Sequence, residues 1–346
     1  MKHSQTAKKR ISLAALYLGT GQLEEELVRS ICTNYCQIEN LKVHVVMDRN
    51  RGTRLEHSKK DTSDTSPTTK QSAATLFQPS LQSAITSTTD ISNFRVGLLE
   101  MPLKSNDWFT KFILPRLPPR YNELLTTFHL KAYAFDDTLI MSGANLSNDY
   151  FTSRQDRYWV IKNKALATLY HNMIEILYDA SNDMNDILLK NKNNERRNHQ
   201  HHVPITIDDM SKKLEKLMLS KNNNLEWSTF EKEAFLHISY KSPPSKGWAC
   251  IRPSIQCAAI GLRDDEIMTK GILERLNDIS EDCAEYGYNQ VSNQLPSETY
   301  VSTGYLNFHE DYKLLLLNMH ANMNVSVLTA SPSANGFFTA SGISSS

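Results

Sequence analysis

Residues 128–158 read FHLKAYAFDDTLIMSGANLSNDYFTSRQDRY, and the fold turns on how this stretch pairs with itself. His129, Lys131 and Tyr133 are two apart, so on an extended chain they share one face. Asp136-Asp137 makes a tight turn, and the apolar run Leu139-Ile140-Met141 returns antiparallel, bringing Ser142 and Asn145 back near the histidine and lysine. That cluster suits phosphoryl transfer, because an imidazole can attack phosphorus while an ammonium and a side-chain amide hold the equatorial oxygens as charge builds. A histidine nucleophile also wants an acceptor on its other ring nitrogen, and Asp156, eleven residues past Asn145, is the candidate. No metal ligand set is needed. A bare His-x-Lys on a strand is more often surface decoration, so the whole run has to carry the reading.

The spacing His129, Lys131, Asp136 resembles the HxKxxxxD signature of the phospholipase D superfamily, and the run from His129 to Tyr158 is similar to the eukaryotic phosphatidylglycerophosphate synthases, the CDP-diacylglycerol–glycerol-3-phosphate 3-phosphatidyltransferases. Ser142-Gly143-Ala144-Asn145 stands where the superfamily usually has Gly-Ser-x-Asn, a variant shared with the phosphatidylserine and phosphatidylglycerophosphate synthase branch. The resemblance implies an α/β, phospholipase D-like fold of two related halves, each a mixed sheet flanked by helices. It implies that His129 attacks the phosphatidyl phosphorus of CDP-diacylglycerol, releasing CMP, and that glycerol 3-phosphate displaces the phosphatidyl-histidine. That reaction is the first committed step toward phosphatidylglycerol and cardiolipin. Lys131 and Asn145 would bind phosphoryl oxygens with Ser142 in support, Asp156 would orient His129, and Arg157 with Arg154 would meet the acceptor's phosphate. Asp136 belongs to the catalytic signature, and bracing the turn is favoured for it over shuttling protons. The same chemistry serves a phosphatidylserine synthase with serine as acceptor and a phospholipase or nuclease with water. A catalytically inactive lipid-binding protein is the reading from a different class.

Composition narrows the partners. Lys+Arg and Asp+Glu balance at 38 each over 346 residues, so no global field argues for nucleic acid, and an anionic substrate must be met by local charges. The 5 cysteines show neither a disulfide framework nor zinc spacing. Apolar runs such as Leu314 to Leu317 are far too short to span a bilayer, which leaves a soluble or peripheral protein. No cofactor is required by this chemistry, and stimulation by a divalent metal stays open. The resemblance implies peripheral contact with the mitochondrial inner membrane, although no presequence is legible before the strand ISLAALYL.

Working outward, Ile11 to Leu18 is strand-like and ends in Gly19-Thr20-Gly21 before a helix, where free backbone N–H groups can admit a phosphate or a simple tight turn can form. Leu41 to Met47 is the next strand, followed by Asp48-Arg49-Asn50-Arg51-Gly52-Thr53-Arg54, whose arginines either help hold phosphate or decorate a solvated loop. Residues 55–90 read as a flexible polar loop. Within it, His57, Lys59 and Asp64 repeat the HxKxxxxD letters, with no strand around them and no returning Ser/Gly/Asn, so the match is taken as chance. Phe94 to Leu99 resumes a buried strand; the proline- and arginine-rich residues 108–122 lead into the hairpin, and a strand at 159–162 with a helix at 165–180 completes an α/β unit.

These readings divide the chain into a first half at 1–180, a polar disordered insertion at 181–204, and a second half at 205–346. His199, His201 and His202 fall in the insertion and are read as solvated rather than metal-binding. Residues 299–336 repeat the strand, helix, strand, loop order of residues 12–52. His237, His309 and His320 lack a lysine two residues on, so the second half stops before a motif of its own. The expectation is either a truncated gene model or a homodimer that brings two His129 sites together, because superfamily members use one histidine on phosphorus and another on the leaving group.

Overall fold

The structure, a computed structural model, describes residues 1–57, 70–77, 92–101, 127–184, 202–219, 251, 253–257, 260–286, 298–304, 306–319 and 324–331. The chain divides into two compact units, Met1–Ala249 and Cys250–Ser346.

The first unit is built on a seven-stranded mixed sheet. Helix α1 (Lys2–Thr6) precedes strand β1 (Arg10–Ala15), helix α2 (Gln22–Gln37), strand β2 (Lys42–Asp48) and the single turn α3 (Arg49–Gly52). A short pair, β3 (Glu56–His57) and β4 (Lys70–Gln71), stands outside the sheet, which continues through β5 (Phe94–Leu99), β6 (Ala132–Phe135) and β7 (Thr138–Met141). Helix α4 (Asn148–Thr152), strand β8 (Trp159–Lys162), helix α5 (Lys164–Asp179) and strand β9 (Asn182–Asp183) complete it, in the order β8-β7-β6-β1-β2-β5-β9. The three central strands β1, β2 and β5 are parallel, and β6, β7, β8 and β9 are antiparallel to their neighbours. Parallel strands buried on both faces need nearly continuous apolar sequence, which KVHVVMD and FRVGLL supply.

Each face has its own filling. Ile11, Leu13, Val43, Val45, Phe94 and Val96 meet Leu27, Val28 and Ile31 of α2 in one core. The opposite face carries smaller and polar residues beneath α5, where Ser12 Oγ lies 2.6 Å from His171 Nδ1 and His44 stacks on Tyr178 at 5.9 Å. A Cβ on Gly97 would come within 1.9 Å of Ser181 Oγ, so only glycine lets β5 approach this turn. Helix α5 starts where Asn163 Oδ1 accepts the Leu166 N–H at 2.9 Å.

Two stretches read as loops contribute to this core. Within 55–90, residues 73–77 are helical, and Phe77, 1 % exposed, packs edge-on against Phe94 with ring centroids 6.4 Å apart. The reason is tertiary, since the ring has an apolar partner from a distant strand. His57 of the chance motif does sit in a strand, opposite Lys70; Lys59 and Asp64 lie outside the described residues. Within 181–204, β9 pairs with β5, Met184 is buried and His202 lies 3.1 Å from the Ser181 carbonyl and against the Tyr178 ring, so the ends of the stretch belong to the sheet. His199 and His201 lie outside the described residues. Helix α6 (Ile207–Leu219) buries Met210, Leu214 and Leu217, one helical stripe, and packs on α5, whereas the sequence reading placed it in the second half.

The second unit contains the pair β10 (Gln256–Cys257) and β11 (Leu262–Arg263), helix α7 (Asp264–Tyr286), strand β12 (Glu298–Thr303), helix α8 (Glu310–Leu317) and strand β13 (Asn324–Thr329). Strands β12 and β13 are parallel over six residue pairs with α8 between them in sequence, the same strand-helix-strand unit as β1, α2 and β2. Asn277 Nδ2 donates to the Leu315 carbonyl at 3.0 Å, tying α7 to α8. Among the described residues no helix is long and apolar enough to cross a membrane.

Candidate active site

The hairpin forms as its alternation dictates. Ala132 pairs with Met141 and Phe135 with Thr138, leaving Asp136-Asp137 as the turn, with Asp136 at φ +49°. Tyr133 is buried, and its hydroxyl donates to the Ala144 carbonyl at 2.9 Å, fixing the returning Ser-Gly-Ala-Asn segment against the strand that follows His129 and Lys131. The lead-in is fixed from another direction. Asp48, at the end of β2 and 1 % exposed, accepts the Phe128 N–H through Oδ2 at 2.9 Å and the Arg51 N–H through Oδ1 at 2.9 Å. The sequence reading weighed the arginines after β2 and missed the aspartate. Of those arginines, Arg49 pairs with Glu100 and Arg51 covers the Tyr17 ring at 4.7 Å.

Lys131 is 6 % exposed, and its Nζ stands 3.1 Å from His129 Nδ1, 3.2 Å from Nε2 and 3.1 Å from the His129 carbonyl. Burial brings the Lys131 pKa down to about 8, against the pull of the Asp156 carboxylate. Partial burial, and then the neighbouring ammonium, hold His129 below its ordinary value, so the ring is neutral near neutral pH and keeps a lone pair. A neutral imidazole at the mouth and an ammonium behind it form a nucleophile beside an anion holder.

Asn145 is 5 % exposed, and among the described residues its side-chain oxygen has no hydrogen-bond partner. A buried amide oxygen left open is an acceptor that a ligand hydroxyl or N–H can meet. Ser142 Oγ accepts the Ala144 N–H at 3.0 Å and is hydrogen-bonded to the Tyr158 hydroxyl, whose pKa is raised by partial burial and by Asp156. Asp156 rests against Gly143, where a Cβ would meet its Oδ2 at 3.2 Å, and accepts the Arg157 N–H at 2.7 Å. Among the described residues it makes no hydrogen bond to His129; both ring nitrogens face Lys131, and Asp156 acts on that lysine. The Arg157 side chain is exposed, while Arg154 donates to the Tyr150 hydroxyl at 3.1 Å and covers its ring.

Two groups of expected site residues belong to the scaffold instead. Asp136 is at the far end of β6, five residues and about 16 Å of extended chain from Lys131. Its carboxylate accepts the backbone N–H groups of Lys8, Lys9 and Arg10 at 2.8, 2.8 and 2.9 Å, and its carbonyl lies 3.0 Å from His171 Nε2. Burial works to raise its pKa, and the three N–H groups with His171 outweigh that and leave it lowered. Its carboxylate braces the turn. Gly19-Thr20-Gly21 likewise holds an internal carboxylate. Glu24, 1 % exposed, is hydrogen-bonded by the backbone of Gly21 and Asn148, and a Cβ on Gly19 would come within 2.3 Å of its Oε1. The position expected for a nucleotide phosphate is thus occupied by a side chain of the same charge. Desolvation raises the Glu24 pKa despite these bonds.

No family model matches the chain. Among curated proteins it is 31% identical to the probable CDP-diacylglycerol–glycerol-3-phosphate 3-phosphatidyltransferase of Dictyostelium discoideum, across 98% of this chain and 52% of that protein. It is 28% identical to the human mitochondrial protein of that name, across 98% and 56%, and 29% identical to that of Saccharomyces pastorianus, across 98% and 57%. The chain spans about half the length of the curated relatives it matches. Among solved structures it is similar to a phosphatidylserine synthase of Haemophilus influenzae, with TM-score 0.53 and 17% identity over 97% of this chain and 59% of that one, a likeness of fold.

Proposed function

We propose that the His129 site of this chain, which over 98% of its length is 31% and 28% identical to two CDP-diacylglycerol–glycerol-3-phosphate 3-phosphatidyltransferases, transfers a phosphatidyl group from CDP-diacylglycerol to glycerol 3-phosphate. A ring nitrogen of His129 forms a bond to the phosphatidyl phosphorus while the bond to the CMP oxygen breaks. The primary hydroxyl of glycerol 3-phosphate then takes the phosphorus, losing its proton to solvent, and histidine leaves. Lys131 and the side-chain N–H of Asn145 hold the phosphoryl oxygens through both steps. Asp156 keeps Lys131 charged, and Arg157 is free to meet the acceptor's own phosphate. This donor set supplies nucleophile and charge stabilisation from imidazole, ammonium and amide, so no cofactor is assigned. Relatives named as mitochondrial support a mitochondrial location, with contact at a membrane surface where the lipid donor resides.

The observation that carries the reading is the buried Lys131 ammonium, 3.1 and 3.2 Å from the two ring nitrogens of a neutral histidine. Incubation with CDP-diacylglycerol labelled at the phosphatidyl phosphorus should release CMP and leave an acid-labile label on the protein, discharged by glycerol 3-phosphate. His129→Ala should abolish the label, and its survival there would overturn the assignment. Discharge by serine in place of glycerol 3-phosphate would make the protein a phosphatidylserine synthase.

A further inference from the structure

Tyr133 and Phe135 of β6 follow His129 and Lys131 at two-residue steps of sequence, each step of the strand advancing about 7 Å. Past the two polar side chains, β6 borders a cleft of about 350 Å³, within the range of small-molecule sites. Leu23 and Leu27 of α2, Tyr133 and Phe135 of β6, Ile140 of β7 and Phe151 of α4 form its walls. Met1 and His3 also line it, and among the described residues no carboxylate, lysine or arginine side chain does.

Cleft and site share residues. Tyr133 lines the cleft and donates to the Ala144 carbonyl; Tyr158 lines it and is hydrogen-bonded to Ser142; Leu146 lines it and follows Asn145. At the mouth Phe151 and Tyr158 are 40% and 43% exposed, and Trp159 beside them is 59% exposed. Aromatic side chains of this kind favour the boundary between water and lipid.

We propose that this cleft receives one acyl chain of the phosphatidyl donor. The inference rests on the phosphatidyl-transfer reading and adds to it where the apolar part of the substrate goes. A donor with its phosphorus at His129 must lead two hydrocarbon chains away from a charged centre, and this apolar cleft begins at Tyr133, two residues past Lys131. Burying methylenes there favours binding and draws the lipid along the strand from its head. Continuity with the phosphoryl site argues for the substrate's own chain over a protein segment.

Two variants test it. Ile140→Trp fills the cleft and Phe151→Asp charges its exposed mouth, where folding is little affected. Titration with pyrene-labelled phosphatidic acid should show binding by the unmodified chain and about tenfold weaker binding by both variants. Transfer from dioleoyl CDP-diacylglycerol should fall about tenfold in both, while transfer from the dihexanoyl donor changes less than about twofold. Probe binding unchanged in Phe151→Asp, absence of probe binding by the unmodified chain, or equal losses with long and short donors would each overturn the proposal. If no donor is turned over by any form, the transfer reading fails, and the probe titration still decides the cleft in either direction.

Discussion

Asp48 Oδ2 accepts the backbone N–H of Phe128 at 2.9 Å, joining the end of β2 to the residue just ahead of His129 across 80 positions of sequence. Because the same carboxylate caps α3 through the Arg51 N–H, the approach to the nucleophile is set by the sheet and not by the hairpin alone. Asp48→Asn retains the shape and turns one acceptor into a donor facing a buried N–H, which costs about 2 kcal/mol. The expected result is a lower melting temperature together with about tenfold slower phosphorus labelling of His129 in the folded protein. Labelling at the unmodified rate would show that Asp48 serves stability only.

Lys131 gives the reaction an alkaline limit. Its ammonium is needed to hold the phosphoryl oxygens, and with a pKa of about 8 it is lost as pH rises through that value. His129 must be neutral to attack, and its lowered pKa puts the acid limb below the ordinary histidine range. The rate of His129 labelling against pH should therefore decline above about 8. Lys131→Arg, whose guanidinium stays charged past about 12, should be slower and should lose that decline. An alkaline limb unchanged in Lys131→Arg would assign it to another group.

Asp136→Asn separates fold from chemistry. Three backbone N–H groups lose part of a charged acceptor, an expected loss of about 3 kcal/mol in urea unfolding, while labelling of the folded fraction stays within about threefold. A hundredfold loss of labelling in the folded variant would return Asp136 to the catalytic set.

Acid should weaken the first unit through His171. Buried between Ser12 and the Asp136 carbonyl, it has its pKa brought down to about 4 by desolvation first and by Arg10 next, against 6.5 in the unfolded chain. Between those values the unfolded state binds more protons, so stability present above pH 6.5 is lost as pH falls toward 4, by about 3 kcal/mol in full. His44, brought down to about 3, acts in the same direction. Urea midpoints should drop between pH 7 and pH 5, and drop less in His171→Gln. An equal drop in the variant would place the effect elsewhere.

The hairpin was legible because alternation, turn residues and the apolar return are all local, and the strand-helix-strand unit of residues 298–329 was legible as a repeat of the first. What sequence could not supply are pairings across long separations. Asp48 finds Phe128 at 80 positions, Glu24 finds Asn148 at 124 and Asp136 finds Lys8 at 128. Phe77 joins the core from a polar segment because Phe94 offers it a ring, which no periodicity in Ser72 to Phe77 announces. Asp156 was expected on His129 and acts on Lys131, a choice between neighbours on one face that spacing does not make.

Gly19→Ala should test the carboxylate that fills the turn after β1. The new methyl collides with Glu24 Oε1, and an expected loss of about 3 kcal/mol in the single variant should be partly recovered with Glu24→Asp, whose shorter arm clears the space. Additive losses in the double variant would deny the contact.

Gly19 and Glu24 are thus bound to one another in descent. With any Cβ at position 19 colliding with the acid, and that acid holding the segment after Asn145 through Asn148, neither residue can drift alone. A lineage that enlarges position 19 must shorten position 24 in the same step or abandon the turn. Paired substitution at these two positions is the trace this contact should leave among diverging copies of the gene.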